Sequence, residues 1–97
     1  MQQINIIKLV VGIDDLDDFY KWQQEHVYDY DGIPANAVRT RYQPKQAEDI
    51  LKTSGSIYRV IKNRILCRQK ILGFEKLETE DNGTHCLIMT ETDIIQT

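Results

Sequence analysis

The second half of the chain limits the fold most. Between residues 56 and 90 the apolar residues are mostly Ile, Val and Leu in short runs, interrupted by Lys62-Asn63, Gly73 and Asp81-Asn82-Gly83. Short β-branched runs separated by residues that accept left-handed backbone read as antiparallel strands joined by tight turns. Within residues 56–77 two readings stay open. Ile57, Ile61, Ile65 and Leu72 partly fit helical spacing, whereas Ile57/Ile61 and Ile65/Cys67/Ile71 alternate with Tyr58/Val60 and Leu66/Arg68/Lys70 as two strands would. The hairpin, turning at Lys62-Asn63, is favoured because Asn tolerates the left-handed turn conformation. Gly73 marks a bulge that changes the parity before Phe74 and Leu77. Asp81-Asn82-Gly83, the strongest turn signal, joins residues 75–79 to residues 84–90.

The first half alternates strand and helix signals. Residues 4–11 are β-branched and mostly apolar, a buried opening strand closed by Gly12. Asp14 or Asp15 can cap a following helix, with Asp17 and Asp18 at its positive end. Leu16, Phe19, Tyr20 and Val27, with Trp22 at the edge, make that helix amphipathic to about His26. Residues 28–36 read as a loop punctuated by Gly32, Pro34 and Asn36. Residues 37–42 form a short strand with Val38, Thr40 and Tyr42 on one side and Arg39 and Arg41 on the other. Pro44 opens a second helix whose stripe is Ala47, Ile50 and Leu51, and Gly55 ends it as a left-handed cap. Ile94 and Ile95 form a final apolar pair. The order β-α-β-α followed by antiparallel strands predicts an α+β domain, a small, mostly antiparallel, barrel-like sheet with two helices.

Ninety-seven residues make one domain, and 41% hydrophobic residues suffice for a core without disulfides or metal. A folded chain of this mass exposes about 5,800 Å². No apolar run of 18 residues provides a membrane helix and no signal peptide opens the chain, so Cys67 and Cys86 read as reduced thiols of a cytoplasmic protein. The net charge of −3 hides a strong segregation: residues 1–37 sum to −5, residues 38–76 to +7 and residues 77–97 to −5. A basic middle between acidic ends serves either as a phosphate-binding face or as one side of a mixed surface in which the segments pair.

Thr40-Arg41, Pro44-Lys45, the Gly55-Ser56-Ile57-Tyr58-x-Val60-Ile61-Lys62 block and Arg68-Gln69-Lys70-Ile71-Leu72 resemble an uncharacterised bacterial family, one of the domains of unknown function. So do the Ile-Lys-Leu-x-Val-Gly-x-Asp opening at Ile7 to Asp14 and the helix carrying Trp22. The resemblance covers nearly the whole chain and implies no activity. Relatives tend to have Trp where this chain has Arg59 and Gly where it has Asn63, and to continue into an Arg/Pro/Trp-rich tail missing here. In the order of elements alone the chain is similar to PUA-like and ASCH-like small barrels, which implies RNA binding or, for some members, amide hydrolysis.

The candidate ligand-binding residues are Arg39, Arg41, Lys45, Tyr58, Arg59, Lys62, Arg64, Arg68 and Lys70. Guanidinium forks meet two phosphate oxygens at once, Lys45 stands at a helix start with free amides, and Tyr42 and Tyr58 offer rings to unstacked bases. The expected partner is RNA or another phosphate-bearing ligand, with no membrane partner; a homodimer joining acidic ends to a basic middle is the alternative. No metal spacing exists among His26, Cys67, His85 and Cys86, and no cofactor motif is present. A small amidohydrolase remains a third reading, implied by the barrel resemblance: Lys45 as base or polarising cation, Thr40 as nucleophile, Glu48 or Glu75 as acid–base partner.

Overall fold

The computed structural model describes residues 2–79 and 83–97. Their elements run β1 (Ile6–Leu9), α1 (Leu16–Glu25), β2 (Tyr28–Tyr30), β3 (Ile33–Thr40), α2 (Ala47–Lys52), β4 (Ser56–Ile61), β5 (Arg64–Thr79), β6 (Gly83–Glu91) and β7 (Ile95–Gln96). One sheet takes the order β1-β4-β5-β6-β3-β2, with β7 also on β5. β1 is parallel to β4 and every other pairing is antiparallel. The α+β class, the two helices and the antiparallel bias stand. The barrel-like closure does not: the order has two ends, and edge strands of four and three residues are too short to form a seam between them.

Hairpin chemistry decides the second half. Lys62 and Asn63 both have positive φ, 49° and 67°, as a two-residue turn matched to strand twist requires, so residues 56–77 are strands and not a helix. Asp31 and Gly32, at 50° and 84°, make the same kind of turn between β2 and β3. Residues 28–36 are therefore a hairpin and not the expected loop. Pro34 is tolerated because β6 pairs β3 only from Ala35 onward, so the missing donor costs no bond on that side. The register slips between Ile71 and Gly73, where the parity change was expected. The Asp81-Asn82-Gly83 turn falls, apart from Gly83, outside the described residues. The opening strand is shorter than residues 4–11 and lies at an edge: Ile7 is 64% exposed and Leu9 55%, since only one face of β1 meets the helices.

Asp15 caps α1, its carboxylate accepting the Asp18 N–H at 2.8 Å. At the end of α2 the Ser54 N–H donates to Leu51 and the Gly55 N–H to Ile50, a Schellman pattern in which Ser54, at φ 56°, holds the left-handed position. Gly55 is thus not the left-handed cap. It is glycine because a side chain there would run into the Ile4 carbonyl oxygen, where the N-terminal segment crosses beneath the helix end.

The core has two apolar clusters with polar residues between them. Ile50 of α2 packs with Val38, Ile57, Ile71, Cys86 and Ile88, while Phe19 of α1 packs with Val10, Ile61 and Cys67. On β4, Arg59 lies between Ile57 and Ile61; on β5, Gln69 lies between Cys67 and Ile71; both are buried. Asn36 Nδ2 donates to the Gln23 and His26 carbonyls of α1, and Gln69 Nε2 donates to Asn36 Oδ1 and the Glu91 carbonyl. The Arg59 guanidinium lies over the Phe19 ring at 5.3 Å, and its Nε lacks a partner among the described residues. Burial lowers its pKa from the usual guanidinium range, a stability cost across ordinary pH because the charged form is the one disfavoured.

Three outcomes follow for urea unfolding. Gly55→Ala lowers stability by about 1–3 kcal/mol through overpacking against Ile4, while Ser54→Gly raises it by about 0.5–1 kcal/mol by relieving the left-handed residue. Arg59→Met is neutral or stabilising by about 1 kcal/mol, because it exchanges a buried cation with no carboxylate partner among the described residues for an apolar side chain of similar length.

Candidate nucleic-acid interface

Both helices pack on one side of the sheet, through Phe19 and Ile50, and this determines what its other side displays. Alternation puts Ile57, Arg59, Cys67 and Gln69 under the helices and turns Tyr58, Arg68 and Lys70 outward. The register then makes one row across four strands: Ile7 on β1 opposite Tyr58 on β4, Tyr58 opposite Arg68 on β5, and Arg68 opposite Ile95 on β7. The row reads apolar, aromatic, cationic, apolar. Ile7 and Ile95 are exposed, while Tyr58 and Arg68 are half-buried. The Arg68 guanidinium donates to Ser56 Oγ at 3.3 Å, which steadies it over the sheet. Lys70, opposite Ser56, extends the positive charge along the same face and lies 4.0 Å from the Glu91 carboxylate. The chain exposes 6670 Å², more than the roughly 5,800 Å² expected from its mass, in keeping with a sheet that no helix covers on this side.

The nine candidates do not form a single patch. Tyr58, Arg68 and Lys70 come together in and beside the row. Lys62 and Arg64 lie at the far tip of the β4–β5 hairpin, where Lys62 is 3.6 Å from Asp14. Arg39 is exposed on β3 opposite Leu87 of β6. Arg41, whose guanidinium stands 5.8 Å over the Tyr42 ring, follows the end of β3, so neither residue belongs to the strand expected over 37–42. Lys45 lies in the turn before α2, whose first residue is Ala47, and a six-residue helix starting there does not deliver the phosphate cradle expected at Lys45. Arg59 is inside the core and is unavailable to a surface ligand. The outward aliphatic residues Ile7 and Ile95 went unrecognised; the alternation of residues 4–11 carries a signal for Ile7, and the two-residue β7 leaves none for Ile95.

The residues of the hydrolase reading have other occupations. The Thr40 hydroxyl donates to the Tyr42 carbonyl at 2.8 Å, and the Glu75 carboxylate lies beside the Tyr30 hydroxyl. Burial first, and then that carboxylate, raise the Tyr30 phenol above its ordinary pKa. Tyr30 reaches Glu75 by lying against the Cα of Gly73, where any side chain would collide with its hydroxyl. Burial raises both thiols, offset in part by Arg59 at Cys67 and by Thr40 at Cys86. Among the described residues no three metal-ligating side chains gather, and no helix is long and apolar enough to cross a membrane.

No curated protein and no solved structure matches the chain. A family model does, over residues 6–97, and its description is a protein of unknown function, DUF1489. That span runs from the first residue of β1 through β7 and so takes in every element of the sheet and both helices. The chain is a member of the DUF1489 family.

Proposed function

We propose that this is a non-enzymatic cytosolic module that binds single-stranded RNA on the face of the sheet turned away from the helices. The observation that carries the reading is the row Ile7–Tyr58–Arg68–Ile95. A tyrosine ring and a guanidinium plane side by side on an open sheet give successive bases two surfaces to stack on, and Ile7 and Ile95 extend that platform at either end. Arg68 and Lys70 supply positive charge for the backbone phosphates, and the hairpin tip with Lys62 and Arg64 continues the charge in the direction of the strands. Double-stranded RNA fits poorly, since its bases are already stacked and inaccessible to such a platform.

Fluorescence anisotropy with a labelled single-stranded oligoribonucleotide tests this. Affinity falls steeply as salt rises, and Arg68→Ala reduces the slope of log affinity against log salt by about 0.7, the share of one phosphate contact on a single strand. Tyr58→Ala costs about 1–3 kcal/mol at every salt concentration, because stacking is not an ionic term. Failure to bind in low salt, or equal binding by both variants and the unaltered protein, removes the reading.

A second reading, a homodimer, is favoured by Ile7, Leu9 and Val11, which are 64, 55 and 84% exposed along and just beyond an edge strand. Such a strand offers unpaired backbone groups and apolar side chains to a second copy. Light scattering across salt concentrations separates the two: a dimer that persists without nucleic acid and ignores added RNA supports association, and a monomer at all concentrations excludes it.

A further inference from the structure

The face of the sheet that no helix covers is not flat throughout. Tyr30 belongs to the end strand β2, yet its hydroxyl lies against Gly73 of β5, with β6 and β3 between them in the sheet. Three strand spacings of about 4.8 Å exceed the reach of a tyrosine side chain, so the sheet curls at this end and its uncovered face becomes concave. The hollow is a groove of about 390 Å³. Leu77, Leu87 and Met89 give it an aliphatic lining and Tyr28 and Tyr30 an aromatic one. Glu75, opposite Leu87, is the only charged residue lining it among the described residues. No lysine or arginine forms an ion pair with Glu75 among the described residues. Arg39, on the other side of Leu87, is exposed and does not line the groove.

Aliphatic side chains and aromatic rings offer few hydrogen-bond partners, so a ligand group that needs several is penalised on leaving water. A primary ammonium group, with three N–H donors, is such a group, and an anion meets Glu75 and no lining cation. A trimethylammonium group carries charge without donors. Its methyls suit aliphatic side chains, and its charge is attracted by the faces of tyrosine rings and by a carboxylate. We infer that this groove binds a small trimethylammonium compound of the choline class. The methyls lie on Leu87 and Met89, and the charge faces Tyr28, Tyr30 and Glu75. Glu75 stands in the second half of β5 and Arg68 in the first, so the inference goes beyond the RNA-binding reading and does not depend on it.

The test is titration of the full-length protein with choline, followed by calorimetry and by the methyl resonance of Met89, which has only Met1 as a companion of its type. Of two comparison compounds, 3,3-dimethyl-1-butanol keeps the shape without the charge, and ethanolamine keeps the charge without the methyls. Choline binds saturably and shifts the Met89 methyl, while both comparison compounds bind at least about 10-fold more weakly. Glu75→Gln, an exposed and structurally mild change, weakens choline about 3- to 10-fold. Tyr28→Leu keeps an apolar side chain at an exposed position, removes the ring and weakens choline about 3- to 10-fold. Tyr58→Ala, which disables the RNA platform, leaves choline affinity unchanged. A lipid headgroup shares the trimethylammonium chemistry, so sedimentation with phosphatidylcholine vesicles is the separating arm. No saturable binding of choline, equal affinity for the neutral alcohol, Glu75→Gln and Tyr28→Leu proteins that bind as the unaltered one does, or vesicle binding without binding of free choline overturns the inference.

Discussion

The amide of Asn36 holds the molecule's parts in register. It is 1% exposed, and its three hydrogen bonds run to two carbonyls at the end of α1 and to Gln69 in the middle of β5. Gln69 in turn reaches the Glu91 carbonyl of β6. Two side chains therefore tie one helix to three strands, inside an interior where an amide left without partners would be expensive. Apolar contacts alone place Phe19 anywhere that buries it. The carbonyls of Gln23 and His26 place the helix end at one point, and a cleft between α1 and residues 92–94 exists because of that placement. The polar layer also separates the two apolar clusters, so each helix covers its own cluster instead of sharing one.

A consequence of packing both helices against one face is that the sheet's other face is left without a layer. Strand β5 spans both ends of that face, pairing β4 and β7 in its first half and β6 in its second. Where it bends, the register slips next to Gly73, and Tyr30 crosses from β2 to fill the space that a side chain at Gly73 would occupy. The Glu75 carboxylate lies beside the Tyr30 hydroxyl where it makes this crossing. Aromatic cover is thus supplied at the β2 end of the face, while at the β1 end Tyr58 lies in its row with exposed Ile7 beside it. The difference between the two ends follows from Gly73, because Tyr58 has no glycine opposite it to fold against.

The chain disclosed its helices and hairpins to the extent that they depend on local chemistry. The Asp15 cap, the Lys62-Asn63 turn and the parity change near Gly73 are all written in neighbouring residues, whereas of the stripe expected for α1 only Leu16 and Phe19 turn to the core and Tyr20, Trp22 and Val27 are exposed. Asp31-Gly32 was equally local and was hidden by Pro34 and Asn36, residues that usually mark loops and here sit within a strand. What could not be read is the row itself. A two-residue turn at Lys62-Asn63 pairs Ile61 with Arg64 and Val60 with Ile65, and uninterrupted continuation would set Tyr58 against Cys67 and turn Arg68 toward the helices. The slip between Arg59 and Val60 adds one residue to the β5 side and brings Arg68 opposite Tyr58 instead. No residue type at that point announces it. Likewise Gln23 and Asn36 are ordinary polar residues in sequence, and only tertiary contact reveals them as the centre of the core.

The charge segregation also takes its meaning from tertiary structure. A middle segment of +7 between two ends of −5 looks like a single cationic face in one dimension. Folding distributes it: Lys62 meets Asp14 from the first acidic segment and Lys70 meets Glu91 from the second. Both pairs are solvent-exposed and long, so each contributes little to stability and yields readily to a phosphate that offers more than one oxygen. Arg59 is withdrawn into the core altogether. Arg68 differs from all of these. Its fixed hydrogen bond goes to the neutral Ser56 hydroxyl, so its charge is not offset by a carboxylate among the described residues, and its geometry is set before any ligand arrives. Orientation fixed in advance lowers the entropic cost of association, so on the proposed RNA-binding reading a single preorganised guanidinium beside a tyrosine serves better than a larger number of mobile surface lysines.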